Sequence, residues 1–93
     1  MTKLWVDDLR EPPDGWEWAK TSQDAINLLD YHSNGVPVEE MSLDHDLGGE
    51  DTTRPIILWL CEEDWLWWPE IRVHSANPVG REWLEGMIKR YRP

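Results

Sequence analysis

Three short apolar runs in this chain each stop at ionisable side chains, and that recurrence limits the folds open to it. Leu4-Trp5-Val6 ends at Asp7-Asp8, Met41-Ser42-Leu43 at Asp44-His45-Asp46, and Ile71-Arg72-Val73 at His74-Ser75. Each run reads as a short strand. Helical segments lie between the runs, and strands alternating with helices imply a mainly parallel sheet joined by right-handed crossovers. The carboxyl ends of such strands share one edge, where open α/β sheets bind ligands. The expectation is a single pocket built from three strand ends, with Asp7, Asp44 and His74 converging on it. His74 on the opposite edge from Asp44 would exclude that arrangement.

The intervening segments carry their own boundaries. Arg10-Glu11-Pro12-Pro13-Asp14-Gly15 is a loop, because its prolines and glycine exclude a continued strand or a helix. Residues 16–19 alternate like an edge strand, with Trp16 and Trp18 on one face and Glu17 on the other. Thr21-Ser22-Gln23-Asp24 has the form of a capping box, and Ala25, Leu28, Leu29 and His32 follow on one helical face until Asn34-Gly35 stops it. His32 reads as a packed or dipole-facing residue rather than a ligand. Thr53-Arg54-Pro55 opens a second helix, with Ile56, Trp59, Leu60 and Glu63 along its inner face and edge. Asn77 and Pro78 suit the N-cap and first position of a third helix, in which Gly80, Leu84, Met87, Ile88 and Tyr91 keep amphipathic spacing. Lys89, Arg90 and Arg92 complement the carboxyl end of its dipole.

Composition narrows the function classes. A formal charge of −10 opposes attraction to phosphate backbones, so duplex nucleic acid is not an expected partner. Cys61 is the single cysteine and reads as a small buried hydrophobe; with no disulfide pair, no signal-peptide core and no membrane-length run, the expected location is cytoplasmic. Eight tryptophans and no phenylalanine put most of the aromatic burial on indoles. Trp65, Trp67 and Trp68 crowd one stretch, which either caps the bottom of the core or forms a surface for homo-oligomer contacts.

The acidic pair with Arg10, the run from Ser42 through Asp44-His45-Asp46 to Gly48, and the run from His74 through Asn77 to Arg81 together resemble the cyclic-phosphate-processing receiver-like domains, shortened relatives of the phosphoacceptor receivers. The resemblance covers essentially the whole chain. It implies one α/β domain over residues 1–93, small, three-layered and receiver-like (flavodoxin-like), with a short, mainly parallel sheet and about three helices. In receivers an acidic pair and a third aspartate hold a divalent ion, and Asp7, Asp8 and Asp44 stand at the matching positions. The lysine that receivers carry after their last strand has no counterpart here, which weighs against phosphotransfer.

A phosphoesterase needs charge neutralisation, an activated water and an acid for the leaving oxygen. Carboxylates favour Mg²⁺ or Mn²⁺ over Zn²⁺. His45 or His74 is then the expected acid or base, with Asp46 orienting an imidazole or joining the metal. The turn with Ser75, Asn77, Gly80 and Arg81 is the expected phosphate cradle, a helix start with an arginine able to contact the anion bidentately. Crowding of the three aspartates is expected to raise at least one pKa. The functional expectation is metal-assisted processing of a cyclic nucleotide or a cyclic-phosphate end. The alternatives are a binder that sequesters such a ligand without turnover, and a degenerate receiver acting as an interaction module.

Overall fold

A computed structural model describes residues 2–63 and 68–93. The order of elements is β1 (Thr2–Val6), β2 (Glu17–Ala19), α1 (Ser22–Ser33), β3 (Val38–Leu43), α2 (Arg54–Glu62), β4 (Glu70–Val73) and α3 (Pro78–Tyr91). The strands form one sheet in the order β2-β1-β3-β4, with every pairing parallel. β1, β3 and β4 are therefore neighbours, as the three-strand-end pocket requires. Among the described residues no helix is long and apolar enough to cross a membrane.

Register explains the core. Val6 pairs with Leu43, and Leu43 with Val73; two residues earlier Leu4 pairs with Met41, and Met41 with Ile71. Alternation turns these side chains to one face, where Leu4, Val6, Met41 and Leu43 are fully buried against Ala25, Leu29, Ile56, Ile57, Leu60 and Leu84 of the helices. β3 is longer than the expected 41–43 strand: a bulge between the Thr2–Val38 and Lys3–Glu40 pairs extends it backward through Glu39. The two glutamates hide this extension in the sequence, yet Glu40 is anchored by Lys3 at 3.8 Å and Arg72 at 3.0 Å.

The receiver-like α/β class is present with its four strands and three helices. The layering differs from the three expected. α2 touches both α1 and α3, so all three helices lie on one face of the sheet. Crossovers of one hand that step in one direction, from β2 to β3 and from β3 to β4, must cover the same face. The β1–β2 connection holds no helix that could cover the other. The 19 Å shortest dimension fits one sheet under one helix layer, given a helix diameter of about 10–12 Å. The opposite face carries Trp5, whose ring lies edge-on to Trp16 at 6.0 Å, with Lys3 5.6 Å over Trp16.

Caps form largely as read. Thr21 Oγ1 accepts from the Asp24 amide at 3.0 Å. A distant acid adds to this cap, because Asp51 accepts from the Ser22 amide at 2.9 Å and the Ser22 hydroxyl at 2.6 Å. α2 lies between the other helices and so also buries Ile57, while Glu63 falls beyond its end and is exposed. His32 pairs with Glu17 of β2 at 3.1 Å. Cys61 is half-buried, and burial together with nearby Glu62 pushes its thiol pKa up. Trp68 is buried in the core; Trp65 and Trp67, and with them most of the expected self-association surface, lie outside the described residues.

Candidate functional site

Because Val6, Leu43 and Val73 are level in the sheet, the next residues form a row. The Asp44 amide donates to Val6 O at 2.9 Å and the His74 amide to Leu43 O at 2.9 Å, so Asp7, Asp44 and His74 stand side by side at the carboxyl edge. Strand alternation turns all three toward the helix-free face. Carboxylate oxygens of Asp7, Asp8 and Asp44 lie within 4.8 Å of one another, with Asp7 buried and the other two half-buried. The Asp8 carboxylate lies against Gly48, whose φ of +89° disfavours any side chain and where an added Cβ would stand 3.1 Å from Asp8 Oδ2. The three expected ligands thus meet.

Asp7 is the best-anchored of them. Its Oδ1 accepts from the amides of Leu9 at 2.9 Å and Arg10 at 3.0 Å, and its Oδ2 lies 3.0 Å from His74 Nε2. Burial opposes its ionisation, but the Arg10 and Leu9 amides and the His74 ring outweigh burial and hold the carboxyl below its ordinary pKa. The expected upward shift from crowding is thus reversed at Asp7 by donors that the sequence pattern does not reveal.

His74 is clamped on three sides. Ser42 Oγ lies 2.7 Å from Nδ1, Asp7 is at Nε2, and the Trp5 ring stacks on it at 4.1 Å and 10°. An ionised Asp7 only accepts, so Nε2 carries a hydrogen and, in the neutral ring, Nδ1 accepts from the Ser42 hydroxyl. Asp7, His74 and Ser42 form a carboxylate–imidazole–hydroxyl chain. Ser42 was legible as a strand residue only; its part in the chain follows from β3–β4 pairing.

His45 turns the other way, toward the helices, and is buried. Arg54 Nε donates to its Nε2 at 2.9 Å, which leaves the hydrogen on Nδ1 facing Asp46 Oδ1 at 3.0 Å. Asp46 Oδ2 accepts from Asn77 Nδ2 at 3.0 Å. Hydrogen bonds from Asn77 and His45 lower the Asp46 pKa against the opposing effect of burial. Asn77 Oδ1 accepts from the Gly80 amide at 3.1 Å, and Ser75 Oγ accepts from the Asn77 amide at 3.1 Å. This second network binds the loop after β3 to the starts of α2 and α3.

The expected cradle is placed differently by these contacts. Ser75 and Asn77 hold the turn itself. Gly80 faces the His45 ring, where an added Cβ would sit 2.2 Å from Cγ, so its lack of a side chain makes room for an imidazole. Arg81 points along α3, pairs with Glu85 at 2.9 Å and flanks Ile71, Arg72 and Val73 of β4. The guanidinium held by a side chain of this edge is that of Arg54, whose Nε donates to His45 and whose carbon lies 4.7 Å from the Trp83 ring centre. Among the described residues the Arg10 guanidinium reaches the His74 carbonyl, at 3.5 Å.

The family model for the cyclic-phosphate processing receiver domain matches residues 2–90. The chain belongs to that family. Neither the curated proteins nor the solved structures contain a match. The match spans all seven elements, so a cyclic-phosphate processing receiver domain here consists of four strands and three helices, with its acidic triad, Asp7–His74–Ser42 chain and Arg54–His45–Asp46–Asn77 network at one edge.

Proposed function

We propose that this domain processes a cyclic phosphate ester, a cyclic nucleotide or a nucleotide with a cyclic-phosphate end, at a divalent-cation site made by Asp7, Asp8 and Asp44. The observation that carries the reading is the meeting of those carboxylates within 4.8 Å. Their chemistry fits a hard cation: all three donors are oxygens, while every imidazole nitrogen of His45 and His74 already has a protein partner, which favours Mg²⁺ or Mn²⁺ over Zn²⁺. Such a cation supplies charge neutralisation to the phosphate and acidifies water. The chain's own part is to hold Asp7 ionised and fixed through the Leu9 and Arg10 amides and through His74, whose ring Ser42 holds in place. Asp46 then orients His45 rather than joining the cation.

The test is product release from 2′,3′-cyclic nucleoside monophosphates with Mn²⁺ or Mg²⁺, paired with calorimetric metal titration. Metal binding that Asp44→Asn weakens, together with turnover, is the expected result; equal metal binding by the variant removes the carboxylates from this role. One observation favours a second reading, sequestration without turnover: neither histidine has a nitrogen free for a substrate proton. Ligand binding with no product would select it.

A further inference from the structure

We propose that Arg54 is the phosphate-binding arm of this site, with His45, Asp46 and Trp83 as the scaffold that aims it; the proposal rests on the cyclic-phosphate reading and deepens it. A guanidinium has five N–H donors in a rigid fork. In Arg54 the Nε donor is taken by His45 Nε2 at 2.9 Å, and one face of the planar group lies 4.7 Å from the Trp83 ring centre. Among the described residues neither terminal nitrogen has a hydrogen-bond partner. That leaves the pair of donors that suits two oxygens of one phosphate.

The scaffold is itself fixed. His45 can take no other orientation without losing Asp46 at Nδ1, and its ring occupies the space over Gly80. Asp46 is tied to Asn77 at 3.0 Å, and the Asn77 cap holds the first turn of α3, the helix that supplies Trp83. An arginine whose rotamers are already restricted loses less entropy on gripping an anion than a free one does. His45 also follows Asp44 directly, and its amide donates to Asp44 Oδ1 at 2.8 Å, so the residue that aims Arg54 is bonded to the carboxylate cluster. That bond ties the scaffold of the arm to the carboxylate cluster through one residue pair, Asp44 and His45. Neither other candidate cation is built this way: Arg81 is paired with Glu85 on the α3 surface, and Arg10 is exposed, with one long contact.

The experiment is calorimetric titration of inorganic phosphate and of 2′,3′-cyclic AMP, with Mn²⁺ titrated separately, into wild type, Arg54→Ala, Arg54→Lys and Arg81→Ala. Arg54→Ala should weaken both phosphate ligands by about ten- to a hundredfold, as expected for a charged hydrogen-bonding pair, with Mn²⁺ affinity unchanged. Arg54→Lys should recover only part of the loss, and Arg81→Ala should bind like wild type. In the unmutated protein the Arg54 Nε–H resonance should shift on adding phosphate, which tests the contact even where Arg54→Ala folds poorly. Wild-type affinity in Arg54→Ala, an unmoved Arg54 resonance, or no phosphate binding by wild type overturns the proposal. Arg54-dependent phosphate binding without Mn²⁺ binding or turnover sinks the metal-assisted reading and leaves the arm standing; turnover indifferent to Arg54 does the reverse.

Discussion

Gly80 and Gly86 sit in the same helix and should respond oppositely to one added methyl. At Gly80 the new carbon would meet the His45 ring at 2.2 Å, whereas at Gly86 nothing lies within 4 Å. Gly80→Ala must therefore displace a buried imidazole held by Arg54 and Asp46, an overpacking cost of about 1–3 kcal/mol before any lost hydrogen bonds. Gly86→Ala should instead stabilise by about 0.5–1 kcal/mol through helix propensity. Urea unfolding of the pair checks both signs, and a neutral Gly80→Ala would mean that His45 is free to move. Asp7 gives a pH prediction. Its folded pKa is depressed below the unfolded value, so its ionised form contributes stability that is present above about pH 4 and lost as pH falls through the folded pKa. Asp7→Asn should lose that part of the acid dependence in metal-free buffer. Unfolding curves between pH 2 and pH 7 would refute it if the two proteins kept parallel acid slopes.

Between β3 and α2 the chain makes a loop that carries Asp44, His45 and Asp46, and its shape depends on a contact far along the sequence. The Leu47 amide donates to Asp51 O at 3.0 Å and the Thr53 amide to His45 O at 3.0 Å, closing the loop on itself. Asp51 then fastens it to the first turn of α1 through Ser22. Those bonds involve a charged acceptor, so Asp51→Ala should cost about 1.5–3 kcal/mol. Thr21→Ala, which removes an ordinary N-cap at the same helix, should cost about 1 kcal/mol. Only the Asp51 variant should also increase hydrogen exchange at the Leu47 and Thr53 amides; protection unchanged there would show that the loop does not need its tie to α1. The Thr21 cap was visible in the sequence because capping is local. The Ser22–Asp51 bond was not, because nothing local relates residues 29 positions apart.

At the scale of the molecule, a net charge of −10 and a concentrated carboxylate cluster separate two kinds of salt response. Added NaCl should stabilise wild type and Asp44→Asn alike by screening. Mn²⁺ should stabilise wild type by linkage, about 2.7 kcal/mol at a hundredfold excess over Kd, and Asp44→Asn by less at the same concentration. Thermal melts in both salts decide it, and an equal Mn²⁺ response in the variant would mark the effect as screening. The sequence by itself determined the strand and helix order, the parallel sheet, the helix caps and the meeting of Asp7, Asp44 and His74, because each follows from local periodicity and from strand ends sharing an edge. Only the tertiary structure decided that the helices share one face, that both ring nitrogens of His45 and of His74 are engaged, that Gly80 accommodates His45 and that Arg54 rather than Arg81 is held by His45. Those outcomes depend on which way side chains turn after the strands end and on which distant groups meet them there, and neither is written in the spacing of residues along the chain.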